Sequence, residues 1–550
     1  MVQQARYPTS EPVDFLVVGA GAAGGVVAKQ LSTAGFSVVV LEQGPYLREA
    51  DFRHDEMANT KFHPLTNDLQ LQPNTFRETE KERARVQPAV MYGRVVGGGT
   101  VHFTANYWRF HEIDFVERSR WGPIAGTGFA DWPITYADLE PYYTKAEEEL
   151  GISGEAGANP FDSWRSKPYP LPPLPVKSSG VLFERAARKL GWHPFPAPMA
   201  ILSRPYRNRA ACVHCGFCME FGCEVGAKSS TLAAVFPLAE QTGRCEIRPG
   251  CYVRKIEVSK SGRVTGAIYF DPQRREVFQN AKAVVLCANG AETPRLLLMS
   301  KSNFFPQGLA NSSGLVGKYL MFDAGAIALG LFEHPLNEFK SVQVTRVIHD
   351  FYNSDPKRGF YGGGGIDARF LFYPISFAMG ALPPEAPRWG AEYKKLLQEY
   401  YTRTMVLLSH TTVLPLETNS ISLDPEVKDA WGLPALCVTY RHHADDWKTM
   451  GFTQEREKEL LEVAGARKIW TFPLEALPPS AHLMGTCRMG NNPRDSVVNH
   501  LNRAHDVPNL FLVDGSCFVT SGRQQPTATI QALAYRAADH MAKLAKRGDL

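Results

Sequence analysis

Apolar and polar positions near the start of the chain alternate between two kinds of segment. Val13-Asp14-Phe15-Leu16-Val17-Val18 is a short apolar run of the kind a buried strand produces, and it stops at Gly19-Ala20-Gly21-Ala22-Ala23-Gly24. A helical pattern continues to about Ala34, and a second apolar run from Ser37 to Leu41 ends at Glu42. This order predicts a βαβ unit with a glycine turn between its first strand and its helix.

Further along, Thr135 with Asp138 caps a predicted helix that carries Leu139, Tyr142, Tyr143, Ala146 and Leu150 at helical spacing, with Glu147 to Glu149 toward water. Residues 45–90 are polar and irregular and read as a surface excursion with short helices. The proline-rich run 168–175 reads as an extended connector. Short strands are predicted at 245–247, 253–258, 264–269, 276–278 and 283–286, before a small-residue turn that opens at Cys287 and a helix that reaches Met299 with Pro294 in its first turn. A long insert, 319–470, alternates strands such as 420–423 and 436–440 and carries one helix over about 445–463. Gly362 to Gly365 read as a flexible loop rather than a phosphate cradle, since no basic or hydroxyl residue follows them directly. No fixed-period repeat is present.

Length and composition narrow the class. The 550 residues exceed one small core and predict two or three domains, and 44% hydrophobic with 21% charged residues is ordinary for a globular protein. A net charge of only +4 from 60 basic and 56 acidic residues gives no field that would select nucleic acid or an anionic membrane. No apolar run reaches the ~20 residues of a membrane span, and the first dozen residues lack the pattern of an export signal.

The glycine turn has readable chemistry. Gly19 allows the tight turn, Gly21 lets backbone approach a pyrophosphate, and Gly24 lets helix and strand pack closely. The helix N-terminus then faces the anion, and Glu42, about twenty residues on, can accept bonds from a ribose hydroxyl pair. The turn alone leaves FAD and NAD open. A second segment, Gly93-Arg94-Val95-Val96-Gly97-Gly98-Gly99-Thr100-Val101-His102-Phe103, contains three consecutive glycines, which imply backbone pressed against a bulky group or held at positive φ. Four of the ten cysteines crowd into Cys212-x2-Cys215-x2-Cys218-x4-Cys223, a spacing that suits a metal centre better than a disulfide framework. Iron–sulfur binding, structural zinc and reduced or paired thiols all stay open on that spacing.

Near the C-terminus stand Ala481-His482-Leu483-Met484-Gly485-Thr486-Cys487-Arg488-Met489-Gly490, then Asn509 to Ser516, then Gln525-Pro526-Thr527-Ala528-Thr529-Ile530. With Gly19 to Glu42, Gly93 to Asn106 and Asn289 to Met299 they resemble, in order and over nearly the whole chain, the glucose-methanol-choline (GMC) flavoprotein oxidoreductases, and in particular the large subunits of gluconate- and glucoside-type dehydrogenases. The resemblance implies an α/β fold: a discontinuous Rossmann-type FAD-binding domain (10–46, 91–115, 245–318 and 480–548) and a substrate-binding domain of mixed sheet and helices (116–244 and 319–479) that includes the cysteine segment 212–223. It implies FAD, and oxidation of an alcohol by hydride transfer to flavin N5.

An alcohol oxidised this way needs a base for its hydroxyl proton. The resemblance implies that His482 is that base and that Gln525 stands where the family places a histidine or asparagine partner. Gln524 is the substitute should Gln525 turn away, and Arg523 a candidate for binding an acidic substrate. Around the cofactor it implies Gly19, Gly21, Gly24, Glu42, Arg94, Gly98, Gly99, His102, Asn106, Asn289, Asp514, Pro526 and Thr527, with His102 resembling the histidine that some members bond covalently to the flavin. Cys212, Cys215, Cys218 and Cys223 correspond in place to cysteine-rich segments that in some bacterial members hold a 3Fe-4S cluster. The expected reaction is dehydrogenation of a sugar, glycoside or aldonic acid, with a small subunit and a cytochrome or other one-electron acceptor as partners. A peroxide-producing alcohol oxidase and a non-catalytic flavin or iron–sulfur electron-transfer module are the alternatives. The expected location is the cytoplasm, with periplasmic co-export beside a signal-bearing subunit as the other case.

Overall fold

The computed structural model describes residues 6–474 and 480–550; the expected domain junction at 479 therefore lies outside the described residues. Three sheets organise the described residues. In the first, Cys245–Arg248, Val38–Leu41, Val13–Val18 and Glu276–Leu286 run parallel in that order, and Leu510–Leu512 adds a further parallel neighbour to Glu276–Leu286. Glu276–Leu286 is one strand where the sequence predicted two. Its last residues join the parallel sheet, while residues 276–280 pair antiparallel with Val264–Phe270 and so extend the sheet into a meander ending at Tyr252–Val258. Val13–Val18 is buried along its length apart from a half-buried Asp14, as expected of a parallel strand covered on both faces.

The helix after the first strand, Ala22–Thr33, packs against the C-terminal helix Thr527–Arg547, which packs in turn against Tyr136–Leu150. Close approach at the turn requires glycine: a Cβ on Gly24 would lie 1.9 Å from the carbonyl oxygen of Gly19. Gly24→Ala is therefore expected to force helix and strand apart, with loss of bound flavin and a lowered melting temperature, checked by absorbance and thermal melt of the purified protein.

The second sheet is antiparallel: Lys468–Thr471, Ile327–Leu331, Thr404–Thr411, Gly364–Arg369, Val344–Ile348 and Phe195–Pro196. Gly362 to Gly365 are no flexible loop, since all four are buried and the strand begins at Gly364. A side chain at Gly364 would meet the His410 carbonyl oxygen at 2.2 Å, and one at Gly365 the Gln524 side chain at 2.3 Å. The third sheet joins Ser420–Lys428, Pro434–Thr439, Asn74–Arg77 and Arg85–Val86. Asn74–Arg77 thus corrects the reading of 45–90 as surface alone, because its four residues pair parallel with Leu436–Thr439.

Two further expectations change. The capping box of Thr135 and Asp138 is present, but of the three glutamates Glu147 and Glu149 are buried. Glu147 receives two bonds from Arg109 at 2.8 and 2.7 Å, and Glu149 pairs with Lys29 at 2.5 Å, so ion pairs rather than water offset the burial of their charge. Pro294 lies in the second turn of Asn289–Met299, not the first. A proline there leaves the Gly290 carbonyl without its helical donor, and the Thr486 hydroxyl donates to that oxygen at 2.7 Å. The helix is thereby tied to the His482 segment.

Candidate active site

A cavity of about 440 Å³ opens at the C-terminal ends of the parallel strands, where Val18, Leu41 and Cys287 line it. Gly19, Gly21, Gly98 and Gly99 floor it, Glu42, Asn289, Asp514, Pro526 and Thr527 border it, and Arg369, Leu408 and His410 from the second sheet close it together with Asp323 from the segment after Met321. His482, Gln525, His102 and Asn106 line the same space. The chain thus brings together every expected cavity residue but two, which lie just off the lining: Gly24, behind the turn, and Arg94, whose charge acts on Glu42.

The two glycine segments touch. Gly97 and Gly98 have φ of +101° and +54°, and a Cβ on Gly98 would stand 2.6 Å from Cα of Gly21. Backbone therefore faces the cavity on both sides, and nothing stands within 4 Å of where a Gly99 side chain would be. Glu42 braces this cradle, its two carboxylate oxygens each accepting a backbone N–H, from Ala20 and from Gly44, at 2.8 Å. Burial pushes its carboxyl up to about 7, against those two bonds and the charge of Arg94. Each oxygen keeps a lone pair for a ribose hydroxyl.

Several buried polar atoms lack partners among the described residues: His102 Nε2, both amide atoms of Asn106, and both amide atoms of Gln525. Orphaned polar groups at this density, around backbone that admits a flat, phosphate-bearing molecule, fit FAD. The His102 imidazole is held down at about 4, first by burial and then by the buried Lys228 ammonium, so it is neutral near pH 7.

Gln525 makes no hydrogen bond with His482, which corrects the expected pairing. Nor does Gln524 replace it, since its amide meets His349 Nε2 at 2.8 Å. Arg523 is fully buried and bound to Asp114 and Glu117, leaving it no role with an acidic substrate. The neighbours of His482 are residues the sequence did not single out. Asp323 Oδ2 lies 3.9 Å from its Nδ1, and the His410 ring stacks on it with centroids 5.7 Å apart. Burial lowers the pKa of His482, and Arg369 adds to this while Asp323 opposes it. The polar end of the strand Thr404–Thr411, where Ser409 and His410 follow an apolar run, was the one signal in the sequence for His410. Asp323 had none.

The cysteine segment flanks the cavity, which Met219 and Glu220 also line. All four thiols are free, and no three of them approach within 4.8 Å of one another. Sulfurs around one tetrahedral zinc, at about 2.3 Å from the metal, must stand closer than that, so the zinc alternative does not fit the arrangement. Cys212 and Cys223 Sγ accept backbone N–H groups of His214 and Lys228 at 3.3 and 3.5 Å. The ammonium of Lys228 is spent on three carbonyls, of Phe103, Cys218 and Phe221, and so ties the segment to the turn after His102.

A glycine-floored dinucleotide cradle facing a half-buried histidine across one cavity defines a flavin-dependent oxidoreductase class. The GMC oxidoreductase family models match residues 176–321 and 415–534, and a Rossmann-like NAD(P)-binding domain matches residues 17–79. The chain is 36% identical to 2-methyl-1,2-propanediol dehydrogenase of Mycolicibacterium austroafricanum, over 97% of this chain and 96% of that one. It is 31% identical to the fructose dehydrogenase large subunit of Gluconobacter japonicus, over 97% and 98%. A structure of Aspergillus oryzae formate oxidase has the same fold at 14% identity, with a TM-score of 0.64 over 99% of this chain and 100% of that one. The chain belongs to the GMC oxidoreductase family and is an FAD-binding enzyme acting on alcohol groups.

Proposed function

We propose that the chain is an FAD-dependent dehydrogenase oxidising a hydroxyl of a sugar or polyol, with His482 as the base. The observation that carries this is His482 on the cavity shared by the glycine cradle and the second sheet, with a carboxylate beside its Nδ1. When bound, FAD supplies the acceptor for the carbinol hydride. The protein binds the pyrophosphate over Gly19, Gly21 and Gly98, holds the ribose at Glu42, and takes the hydroxyl proton at His482. A carbohydrate-like or diol substrate is favoured by the fructose and propanediol dehydrogenases among the relatives. Oxygen consumption set against turnover with an artificial acceptor tests the reading. Acceptor-dependent turnover exceeding oxygen uptake supports a dehydrogenase, and the reverse makes it an oxidase. A flavin that no alcohol can reduce would leave only the electron-transfer module.

The unpartnered, neutral Nε2 of His102 favours a covalent bond to the flavin. The acid-precipitated protein is then expected to be yellow and heavier than the chain by one FAD. A colourless pellet of the bare chain mass contradicts the bond. The cysteine segment is the proposed seat of a 3Fe-4S cluster serving an external one-electron carrier, supported by its thiols, its N–H···S bonds and its contact with the flavin cavity. Iron and acid-labile sulfide in the purified enzyme would bear this out, and their absence after anaerobic purification would remove it.

A further inference from the structure

We propose that Asp323 and His410, which lie outside every sequence motif, complete the proton-handling group at the cavity: Asp323 positions and charges His482 through Nδ1, and His410 holds the alcohol oxygen through Nε2. This rests on His482 being the base.

The three side chains converge from separate parts of the chain. One ligating atom of each of Asp323, His410 and His482 lies within 4.8 Å of the other two, and all three residues line the cavity. The Asp323 carboxylate is fixed by the Ser480 hydroxyl, while the Ser480 oxygen accepts the backbone N–H of Asp323 at 3.3 Å. His410 sits on a strand whose neighbour, Gly364–Arg369, has glycine opposite it at Gly365, and its Nε2 is buried without a partner among the described residues. A buried, unpaired ring nitrogen on a substrate-sized cavity is a hydrogen-bonding group left for a ligand.

The charges divide the roles of the two imidazoles. Burial opposes ionisation of Asp323, yet His482, His410 and Ser480 together hold its carboxyl below the ordinary range. Burial, Arg369 and His482 all hold His410 far down, and Asp323 opposes them. The charged groups facing the pair are therefore Asp323 from the segment after Met321, Arg369 from the adjacent strand and the two histidines themselves. Arg369 is tied by two bonds to Asp367 at 2.9 and 2.6 Å. Two imidazolium ions cannot coexist at this spacing, so one ring takes the proton and the other stays neutral. With Nδ1 of His482 directed at Asp323, the lone pair is on Nε2, and the carboxylate stabilises the cation that forms. In the step itself the O–H bond breaks, its proton moves to His482 Nε2 and the C–O bond becomes a carbonyl, while the carbinol hydride would be taken up by the FAD that the glycine cradle and Glu42 would hold. Neutral His410 binds the oxygen as its charge develops.

The test uses the flavin-loaded enzyme. Diethyl pyrocarbonate modification of the His482 peptide, followed by mass spectrometry across pH, reads the titration of this one ring without turnover. Removing an anion lowers an imidazole pKa, so in Asp323→Asn the midpoint is expected to fall by about one unit or more, with Asp323→Glu restoring part of it. The acidic limb of kcat/KM moves to lower pH with it. His410→Ala is expected to lose about 10²–10³-fold in kcat at unchanged flavin content, with His410→Gln recovering part of the loss. An unmoved His482 midpoint in Asp323→Asn, or wild-type kcat in His410→Ala, overturns the proposal. If His482→Ala keeps turnover, the base assignment falls and this proposal with it; if His482→Ala is inactive while the Asp323→Asn midpoint stays put, the base assignment stands and this proposal falls.

Discussion

His482→Ala is expected to slow flavin reduction by substrate about 10²–10⁴-fold, the usual worth of a positioned general base, while leaving the flavin bound. The separation of effects follows from placement. His482 lines the cavity, but the two glycine turns, Glu42 and the N-terminus of Thr527–Arg547 that form the cradle do not depend on its side chain. Anaerobic stopped-flow reduction measures the rate, and the oxidised absorption spectrum measures retention. A rate within threefold of wild type contradicts the assignment. The pH dependence has a definite sign: His482 works as the neutral ring, burial lowers its pKa, and activity should rise with pH through a midpoint below the ordinary histidine value and then level off.

The largest stability effect is expected at Arg523. Its guanidinium is fully buried, donates to Asp114 at 2.6 Å and to Glu117, and reaches the Ser354 hydroxyl at 3.0 Å. The Tyr352 hydroxyl also donates to Asp114, at 2.5 Å. Arg523→Ala strands two carboxylates away from water, which costs about 3–5 kcal/mol. Replacing Arg523, Asp114 and Glu117 together by Met, Asn and Gln should recover much of that loss, because no uncompensated charge remains. Denaturant unfolding of both variants checks it. A loss below about 1 kcal/mol for the single change would show that the centre is weakly coupled to folding. Since Gln524 and Gln525 follow Arg523 directly, this ion cluster also anchors the segment that brings Gln525 to the cavity.

Where the chain carries its own local code, the sequence was legible. Val13 to Glu42 reads as strand, turn, helix and strand because burial on both faces leaves an apolar run and a close approach demands glycine, and the structure places those elements within a residue or two. The capping box at Thr135 and the helix after Asn289 were equally local. What stayed hidden depends on partners distant in sequence. Glu147 has the spacing of a solvent-facing residue, and only the arrival of Arg109 and Arg165 makes burial tolerable. Gly362 to Gly365 carry the composition of a loop, yet they are bare because Thr449, the Tyr352 carbonyl, the His410 carbonyl and the Gln524 side chain press against them in turn. The site divides the same way. His482 was visible through its motif, whereas His410 comes from the second sheet and Asp323 from the segment after Met321, and they meet it only in three dimensions. Gln525 shows the limit of carrying a role across by position, because its amide reaches the cavity but makes no bond with the histidine it was expected to serve.

The central claim is that this cavity oxidises an alcohol by way of bound FAD. Its most direct test is anaerobic titration of the purified protein with a panel of sugars, aldonic acids and small diols while the flavin spectrum is recorded. At least one member is expected to bleach the oxidised band stoichiometrically and to appear as the corresponding carbonyl compound, and the same compound should leave His482→Ala oxidised over the same period. A flavin that dithionite reduces but that no alcohol in the panel bleaches would contradict the claim.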